Sequence, residues 1–432
     1  MDRNRSEGVL PLALVMSLLL VAASACGPVS AAPEATELAA PAEGVFRVGV
    51  LGPFSGPSAS VGAEFKGAVT MAFDTIDWQI GDDIVDVVWI DSQSDPKAAS
   101  AAYERAILEE GIQAAILNWH SSVAVECMEL AADYEIPHVF PYGASEAVNE
   151  TFHSDPDRYG YWMNKGWPTP AKLTTAYVQA VEDAVSEGFW TPEEKTLAIC
   201  AENTDWGRSF GRAIKQQFEA EGWTTVDEEY SPLEEVNFYP SLSKLKALDV
   251  ALVAATSTSM PQFAAFINQA DEVGLESMII ADGLGWSGEW YRMTGDASDY
   301  VIDQIPGWAT AEGQAFAEAF EERWEIAPSP SAAGLAYDGT MMFIEIATHA
   351  LEESGELSSE SIYAWGKEHL QTGKWSFTDG IVMASYTYTP ETLPDPVVGE
   401  GYYVFPVRQY AQGEGKIIFP PEWAEVQLSP RH

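Results

Sequence analysis

Residues 45–75, VFRVGVLGPFSGPSASVGAEFKGAVTMAFDT, form the stretch that decides the fold. The first part, residues 46–51, is a short apolar run that ends at Gly-Pro, which is typical of a strand buried on both faces of a parallel sheet. A helical pattern follows the run after a turn. The stretch therefore predicts a strand, a tight turn and a helix, which is the repeating unit of α/β proteins.

The predicted turn, residues 51–62, is rich in glycine and serine. Glycine lets the backbone turn sharply, and serine hydroxyls next to a helix N-terminus can cap the helix or bind an anionic group. The spacing does not match GxxxxGK[ST], so a phosphate-binding loop is not predicted. Two interpretations stay open: a plain βα turn whose serines cap the helix, and a ligand-binding loop that includes Ser55.

Residues 1–25 predict an export signal. Two arginines precede an apolar run that ends in Ala-Ser-Ala, immediately before Cys26. This pattern resembles a bacterial lipoprotein signal, and the resemblance implies cleavage before Cys26 and lipidation of its sulfur. Ordinary secretion, with an unmodified cysteine, is the alternative. Residues 26–44 are rich in Ala, Pro and Glu, so beyond the lipidated Cys26 they predict a flexible tether.

The chain is strongly acidic, with 22 Lys and Arg against 66 Asp and Glu, and a net charge of −44. Binding to nucleic acid or to an anionic membrane surface is therefore unfavourable. A hydrophobic content of 47% with 15 Trp indicates a well-filled core. Roughly 390 residues follow the tether, which suits two domains better than one.

Strand and helix patterns alternate along these residues. Apolar runs predict strands at 46–51, 84–91, 114–118, 138–140, 161–163, 196–201, 250–254, 277–281 and 301–305. Amphipathic patterns predict helices that include 97–110, 123–134, 170–187, 207–220, 239–246, 260–273, 311–325 and 335–353. This order predicts an α/β fold with parallel sheets, in which ligands bind at the carboxyl ends of the strands.

Polar and aromatic residues follow several of the predicted strands at that end. They are Trp119, Ser121, Ser122, Ser145, Trp206, Ser259 and Asp282, and the small residue Ala144 directly precedes Ser145. The chain thus offers hydroxyl groups early and a carboxylate late. For Asp282, which precedes Gly283, capping of the next turn is an alternative role.

The sequence contains no recognisable catalytic or metal-binding pattern. His120 stands beside Ser121, but there is no GxSxG motif, and adjacent residues cannot usually form a base–nucleophile hydrogen bond. The 6 His and 3 Cys lack metal-ligand spacing. We therefore expect no enzyme, no metal site and no cofactor. With Cys26 lipidated, Cys127 and Cys200 are expected to be buried thiols without a disulfide.

Five segments, in this order, resemble the type I periplasmic binding proteins of ABC importers, specifically the leucine/isoleucine/valine-binding and amide-binding group. The segments are VGVLGPFSGPSASVGAEFKGA from residue 48, NWHSSVAVECMELAADYEIPHVFPYGAS from 118, NTDWGRSFGRAIKQQF from 203, FYPSLSKLKALDVALVAATSTSMPQFAAFINQADEVGL from 238, and VRQYAQGEGKIIFPPEW from 407. The resemblance covers residues 45–424.

This resemblance implies a two-lobe clamshell with three hinge crossovers. Each lobe is expected to be a three-layer sandwich around a parallel sheet, with one ligand in the cleft between the lobes. Lobe 1 is expected at 45–166 plus 308–392, and lobe 2 at 167–307 plus 393–424. Residues 425–432 are left as a C-terminal tail.

The resemblance also implies roles for several residues. In amino-acid-binding members the first lobe holds the ligand carboxylate with hydroxyls and backbone N–H groups, and the matching positions are Ser121 and Ser145, with Ser122 and Ala144 adjacent. An acidic residue of the second lobe that holds the ammonium group matches Asp282. An aromatic residue before a glycine matches Trp206.

Three positions depart from the pattern of the branched-chain binders. Val61 and Ser259 stand where those proteins tend to have tyrosine, and Trp119 replaces a smaller aliphatic residue. We therefore expect a small organic solute, an amino acid or a related carboxylate or amide, with an apolar or aromatic body.

The implied function is that of an extracytoplasmic substrate-binding lipoprotein. It is expected to be lipid-anchored to a bacterial membrane, in the periplasm or on the outer face of the cell membrane. Its implied partners are a small-molecule solute and ABC permease subunits with their cytoplasmic ATPases, without nucleic acid. The alternative is a ligand sensor of the same fold that signals to a receptor.

Overall fold

The computed structural model describes residues 44–308, 310–402 and 404–431. The predicted signal peptide, Cys26 and the predicted tether before Gly44 lie outside the described residues. Within the described ranges, no helix is both long and apolar enough to cross a bilayer.

The first part of the fold is a five-stranded sheet with the strand order β2-β3-β1-β4-β5. All neighbouring strands are parallel except β2 and β3. The strands are β1 (Val45–Gly52), β2 (Gln79–Ile80), β3 (Asp83–Asp91), β4 (Ala114–Ile116) and β5 (His138–Val139). The helices that alternate with them are α1 (Ala59–Asp74), α2 (Pro96–Leu108), α3 (Ser121–Asp133) and α4 (Glu146–Ser154).

A seven-stranded sheet follows, with the order β12-β11-β10-β9-β8-β6-β7. Strands β6 to β10 pair in parallel, and β11 and β12 add an antiparallel edge. The strands are β6 (Thr196–Glu202), β7 (Thr224–Ser231), β8 (Leu252–Thr256), β9 (Met278–Asp282), β10 (Ile302–Gln304), β11 (Val407–Ala411) and β12 (Glu414–Phe419). Its helices are α5 (Pro170–Ser186), α6 (Asp205–Ala220), α7 (Tyr239–Ala247), α8 (Met260–Glu272) and α9 (Trp290–Thr294).

Three helices between β10 and β11 return to the five-stranded sheet. They are α10 (Ala311–Trp324), α11 (Leu335–Ser354) and α12 (Ser359–Glu368), and α11 packs along α1. The chain therefore passes between the two sheets three times: between α4 and α5, between β10 and α10, and between α12 and β11. We call the five-stranded sheet with its helices the first lobe, and the seven-stranded sheet with its helices the second lobe. The lobe boundaries given above in sequence numbers stay a prediction.

A buried ion pair fastens the first passage to the third. Lys165 Nζ lies 2.7 Å from Asp395 Oδ1, and both side chains are fully buried. Lys172, near the start of α5, places its Nζ 2.8 Å from the other carboxylate oxygen. The backbone N–H of Lys165 also donates to the Pro394 carbonyl at 2.8 Å. The two passages are therefore tied into one joint between the lobes.

Most of the predicted elements are confirmed within a few residues, but one predicted strand is wrong. Residues 161–163 are not a strand: only one bridge forms there, between His138 and Trp162, after a 3-10 turn at Tyr159–Tyr161. The sheets are mostly rather than wholly parallel. Strands β2 and β3, and likewise β11 and β12, are joined by short turns, which permit only antiparallel pairing.

The two cysteines of the described chain are unpaired, as predicted. Cys127 is buried, whereas Cys200 is half-buried. Burial raises the pKa of both thiols, so neither is a reactive thiolate at neutral pH.

Candidate functional site

A cavity lies between the lobes, at the edge where the carboxyl ends of the parallel strands meet. Its empty space, counted with the opening to solvent, is about 310 Å³. The residues that line it are Trp119, Ser121, Tyr142, Ala144, Trp167, Trp206, Thr258 and Trp286. The first four belong to the first lobe, Trp167 lies on the first passage, and the last three belong to the second lobe.

The walls of this cavity are mainly aromatic, and Trp286 stands at their centre. Its ring lies 5.7 Å from the ring of Trp119 in a T-shaped arrangement, and 5.7 Å from that of Trp167. The ring of Trp206 lies 5.4 Å from it, also edge to face. Edge-to-face packing stabilises aromatic pairs and leaves ring faces for a flat ligand. Tyr142 closes the first-lobe side, 5.7 Å from Trp119.

The polar end of the cavity is built from two serines of the first lobe. Ser121 is the first residue of α3, and its Oγ accepts hydrogen bonds from the backbone N–H groups of Ala144 (3.0 Å) and Ser145 (3.1 Å). Its own hydroxyl hydrogen is therefore free to point at a ligand. The Oγ of Ser145 is buried and has no hydrogen-bond partner among the described residues. The N-terminus of α3 adds a favourable field for negative charge.

Two buried carboxylates of the second lobe lie behind the cavity wall. Asp282 accepts hydrogen bonds from the Tyr177 hydroxyl at 2.9 Å and from Thr256 Oγ1 at 3.1 Å. Burial, followed by the charge of Asp303, raises the pKa of Asp282 to about 8. Glu202 accepts from the backbone N–H and the hydroxyl of Thr258, and burial raises its pKa as well. Neither carboxylate lines the cavity.

No residue on the cavity lining carries a charge at neutral pH. Tyr142 is the single ionisable residue there, and burial raises its pKa well above its ordinary value. His120 precedes α3 and is buried, and burial lowers the pKa of its imidazole to about 3. The ligand must therefore be bound by hydrogen bonds, helix dipoles and aromatic surface.

The structure brings together five of the nine predicted site residues. Trp119, Ser121, Ala144 and Trp206 line the cavity, and Ser145 is adjacent through its bond to Ser121. The other four predicted residues do not line it, and they are Ser55, Ser122, Ser259 and Asp282.

The surroundings of two of those four explain their position. Ser55 is turned towards β3, where its Oγ donates to Asp91 Oδ2 at 2.7 Å. Ser259 is the residue before α8, and its Oγ lies 3.4 Å from the Pro57 carbonyl oxygen of the first lobe. Ser55 therefore shapes the β1–α1 turn, and Ser259 contacts that turn across the cleft.

Four lining residues were not predicted: Tyr142, Trp167, Thr258 and Trp286. Tyr142 and Thr258 stand in strand-end segments that the sequence already marked, next to residues that were chosen instead. Trp286 is the last residue of a 3-10 turn, Leu284–Trp286, which comes shortly after Asp282. Trp167 lies on the first passage, which no strand-end rule covers. A search for aromatic residues at the predicted lobe junctions could have found Trp167, and a search of the turn beyond β9 could have found Trp286.

One acidic cluster forms away from the cavity. Ligand atoms of Glu353, Glu368 and His369 lie within 4.8 Å of one another. Lys374 Nζ already lies 3.1 Å from Glu368 and supplies a positive charge. Surface ion pairing accounts for this cluster.

The family model for periplasmic binding proteins matches residues 45–389, which include both sheets up to β10 and the returning helices. The chain belongs to the periplasmic binding protein family. Its two mostly parallel sheets, with helices between the strands, have the architecture of the type I fold, as the following structures confirm.

Solved structures share this fold across most of the chain. A putative branched-chain amino acid ABC transporter protein from Silicibacter pomeroyi superimposes with a TM-score of 0.71 at 19% identity, over 90% of this chain and 99% of its own. A solute-binding protein from Rhodopseudomonas palustris BisB5 gives a TM-score of 0.69 at 19% identity, over 86% and 95%. The substrate-binding protein LivJ from Streptococcus pneumoniae gives 0.69 at 16%, over 86% and 97%.

Curated relatives match a shorter part of the chain. The Leu/Ile/Val-binding protein homolog 6 of Brucella suis is 25% identical over 234 residues, which are 54% of this chain and 56% of the relative. The homolog from Brucella melitensis matches to the same extent. The chain thus spans about half the length of the curated relatives it matches.

Proposed function

We propose that this protein is the solute-binding subunit of an ABC importer and that its solute is a flat aromatic acid without an amino group. The observation that carries the proposal is the uncharged, aromatic lining of the cavity between the lobes. A solute that touches both lobes favours their closed arrangement, because only the closed form makes both sets of contacts.

Aromatic side chains supply most of the binding surface. Rings of Trp119, Trp206 and Trp286 surround the cavity, and a flat ring placed among them gains stacking contacts as well as buried apolar area. The indole N–H groups of Trp167 and Trp286 have no hydrogen-bond partner among the described residues. They can donate to an acidic or phenolic group of the solute.

The polar end of the cavity offers the head group of the solute several hydrogen-bond donors and few acceptors. The hydroxyls of Ser121, the first residue of α3, and Ser145, the residue before α4, suit a carboxylate. An ammonium group would need acceptors, but the Thr258 carbonyl already accepts from Ser58 at 2.7 Å. Asp282 already accepts hydrogen bonds from two hydroxyl groups, and its raised pKa makes it a poor counter-ion for an ammonium group. The ammonium role of Asp282 is therefore not part of the proposal.

The named ligands of similar structures are compatible with this choice of solute. The Rhodopseudomonas palustris BisB5 protein is in complex with 3,4-dihydroxy benzoic acid, and a second protein from R. palustris is in complex with benzoate. The pneumococcal protein is in complex with isoleucine. The indole-rich cavity favours the aromatic alternative here.

The direct test is mass spectrometry of small molecules released by denaturing the purified protein. Calorimetry with 4-hydroxybenzoate, benzoate, phenylalanine and leucine follows. We expect an aromatic acid among the released molecules and binding of at least one benzoate. Binding of leucine or phenylalanine but of neither benzoate would contradict the aromatic-acid proposal while leaving solute binding in place. Asp282→Asn should change stability but not the preference for acids over amino acids.

We also infer membrane anchoring and delivery to a permease. The Ala-Ser-Ala-Cys sequence that ends at Cys26 supports a lipid anchor, and the family supports a permease partner. A Cys26→Ser variant should move to the soluble fraction and keep its solute affinity. If that variant stays on the membrane after loss of its signal peptide, the lipid anchor is wrong.

A further inference from the structure

Glu64 is a carboxylate on the buried side of α1, fully shielded from solvent. Its neighbours on that side of the helix are apolar, Val61, Phe65 and Ala68 among them. A buried carboxylate is costly unless several donors or a cation compensate it. No lysine or arginine of the described residues forms an ion pair with Glu64, so its hydrogen bonds must account for its presence.

The two oxygens of Glu64 face different lobes. Oε2 accepts from the backbone N–H groups of Ser329 at 2.7 Å and Ala333 at 3.3 Å, both in the segment before α11 of the first lobe. Oε1 accepts from the backbone N–H of Gly288 at 3.1 Å. Gly288 lies between β9 and α9 of the second lobe. One carboxylate therefore joins the lobes directly.

Gly288 belongs to the segment 283–289, which carries Trp286. The segment lies against the first lobe so closely that a Cβ atom on Gly288 would stand 2.0 Å from the Ala327 carbonyl oxygen. The Ser329 hydroxyl also donates to the Gly285 carbonyl at 2.7 Å. Only glycine permits this approach at position 288.

A second carboxylate holds the same segment from its own lobe. Asp303, on β10, accepts from the backbone N–H groups of Gly283 at 3.0 Å and Gly285 at 2.7 Å. The turn that presents Trp286 is thus held by Asp303 of the second lobe and by Glu64 of the first. The contact to Asp303 stays within the second lobe, whereas the contact to Glu64 requires the lobes to be closed.

We propose that Glu64 is a positioning residue that couples closure of the lobes to the placement of Trp286 in the cavity wall. Glu64 fastens the segment 283–289 to the first lobe, two residues beyond Trp286. Closing the lobes and completing the aromatic lining then become a single event. This inference concerns a step within the proposed function, but its test needs no solute.

The selective variant is Glu64→Gln. Glutamine keeps one carbonyl oxygen, which can still accept from Ser329 and Ala333, but its amide nitrogen cannot accept from Gly288. Loss of that bond exposes one backbone N–H of the second lobe and leaves the first-lobe contacts in place. Glu64→Ala removes both sets of bonds and serves as the second variant.

The matched control is Asp338→Asn. Asp338 is also buried, and it accepts from the backbone N–H groups of Ile381 at 2.7 Å and Val382 at 3.1 Å. These partners all belong to the first lobe, so the control removes a similar carboxylate without touching the lobe contact. Circular dichroism verifies that each full-length variant is folded.

Hydrogen exchange measured by mass spectrometry separates the outcomes. In Glu64→Gln we expect amides of residues 287–289 to exchange about tenfold faster, as the loss of one buried hydrogen bond implies, with residues 329–333 unchanged. The emission of Trp286, taken as the difference from a Trp286→Phe chain, should shift to the red in Glu64→Ala. Unchanged exchange at 287–289 in both Glu64 variants, or equal acceleration in Asp338→Asn, would overturn the proposal.

Discussion

Ser58 of the first lobe and Thr258 of the second are joined across the cleft: Ser58 Oγ donates its hydrogen to the Thr258 carbonyl oxygen at 2.7 Å. His120 Nε2 lies 3.0 Å from the same hydroxyl. Because Ser58 has given its only hydrogen to Thr258, Nε2 must carry the ring hydrogen of a neutral His120 and donate it to Ser58. Thr258 lines the cavity, so this contact fixes part of its wall in the closed form.

Removing the Ser58 hydroxyl should weaken solute binding. Ser58→Ala deletes one buried hydrogen bond and leaves His120 Nε2 without its acceptor, which costs about 1 kcal/mol or more of closed-form stability. The affinity for the solute should fall about fivefold, since closure and binding are linked. Calorimetry with the solute recovered from the protein measures this change in affinity.

Ser55→Ala is the matched control. Ser55 lies in the same turn and was predicted as a binding residue, but its hydroxyl faces Asp91 on the exposed side. We expect its affinity to match that of the unaltered chain. A larger loss in Ser55→Ala than in Ser58→Ala would contradict the assignment of the two serines.

Ser121 should contribute more than its neighbour Ser122. Ser121→Ala removes a donor to the carboxylate and also the acceptor of two backbone N–H groups, those of Ala144 and Ser145. Loss of a hydrogen bond to a charged group costs about 1.5–3 kcal/mol, so affinity should fall roughly tenfold or more. Ser122→Ala should change affinity little, since Ser122 does not line the cavity. Equal affinities of both variants would remove Ser121 from the site.

The order of strands and helices could be predicted because each buried parallel strand is a short apolar run. Strands β1, β6 and β9 are almost entirely buried, and the sequence marks them clearly. Strand β7 was missed because it lies at the sheet edge and none of its residues is fully buried. Its sequence, TTVDEEYS, lacks the apolar run that a two-sided burial requires.

The first-lobe half of the site was predicted better than the rest. Ser121 and Ser145 directly follow strand segments, so a rule about strand ends finds them. Trp167 and Trp286 reach the cavity from a lobe passage and from a turn beyond β9, where position depends on how the lobes close. Asp282 sits at a strand end, but Tyr177 and Thr256 already use its carboxylate. Strand position alone does not say which way a side chain points.

The ion pair at the joint should be essential for stability. In Asp395→Asn the Lys165 ammonium, fully buried, loses its counter-charge, and breaking a buried pair in this way costs about 3–5 kcal/mol. Thermal or denaturant unfolding should show a large loss. Asp157→Asn, which breaks the exposed pair with Lys367, should change stability little.

Acid should weaken the same joint only at very low pH. Burial alone would raise the pKa of Asp395, but the charges of Lys165 and Lys172 outweigh it and lower the pKa to about 2. The contribution of Asp395 is therefore present above its unfolded pKa and lost as the pH falls through about 2. A transition of the Asp395 contribution near neutral pH would contradict this assignment.

Glu64 should make closure of the lobes depend on pH. Burial raises the pKa of Glu64 from 4.5 to about 8 in the closed form, although the N–H groups of Ser329, Gly288 and Ala333 oppose the rise. Opening the lobes admits water to this carboxyl group, which should lower its pKa towards the ordinary value, so closure should take up a proton. The stabilisation that comes from this proton is fully present below about 4.5 and is lost as the pH rises through about 8.

Other titratable groups near Glu64 do not reverse this sign. The ring of Tyr142 faces Glu64 and stays neutral, because burial raises its pKa well above the ordinary value. Asp338 is the other charged neighbour of Tyr142, and burial raises its pKa to about 7. Burial also raises the pKa of Asp282 to about 8, but its hydrogen bonds to Tyr177 and Thr256 stay within the second lobe. Comparison with Glu64→Gln isolates the contribution of Glu64.

Small-angle scattering between about pH 6 and pH 9 measures the effect, because opening increases the radius of gyration. The unaltered chain should expand as the pH rises, and Glu64→Gln, which has no proton to take up, should expand distinctly less over the same range. Asp338→Asn should retain the pH response of the unaltered chain, since its hydrogen bonds stay within the first lobe. An identical expansion of the Glu64→Gln chain would contradict the assignment of the pH dependence to Glu64.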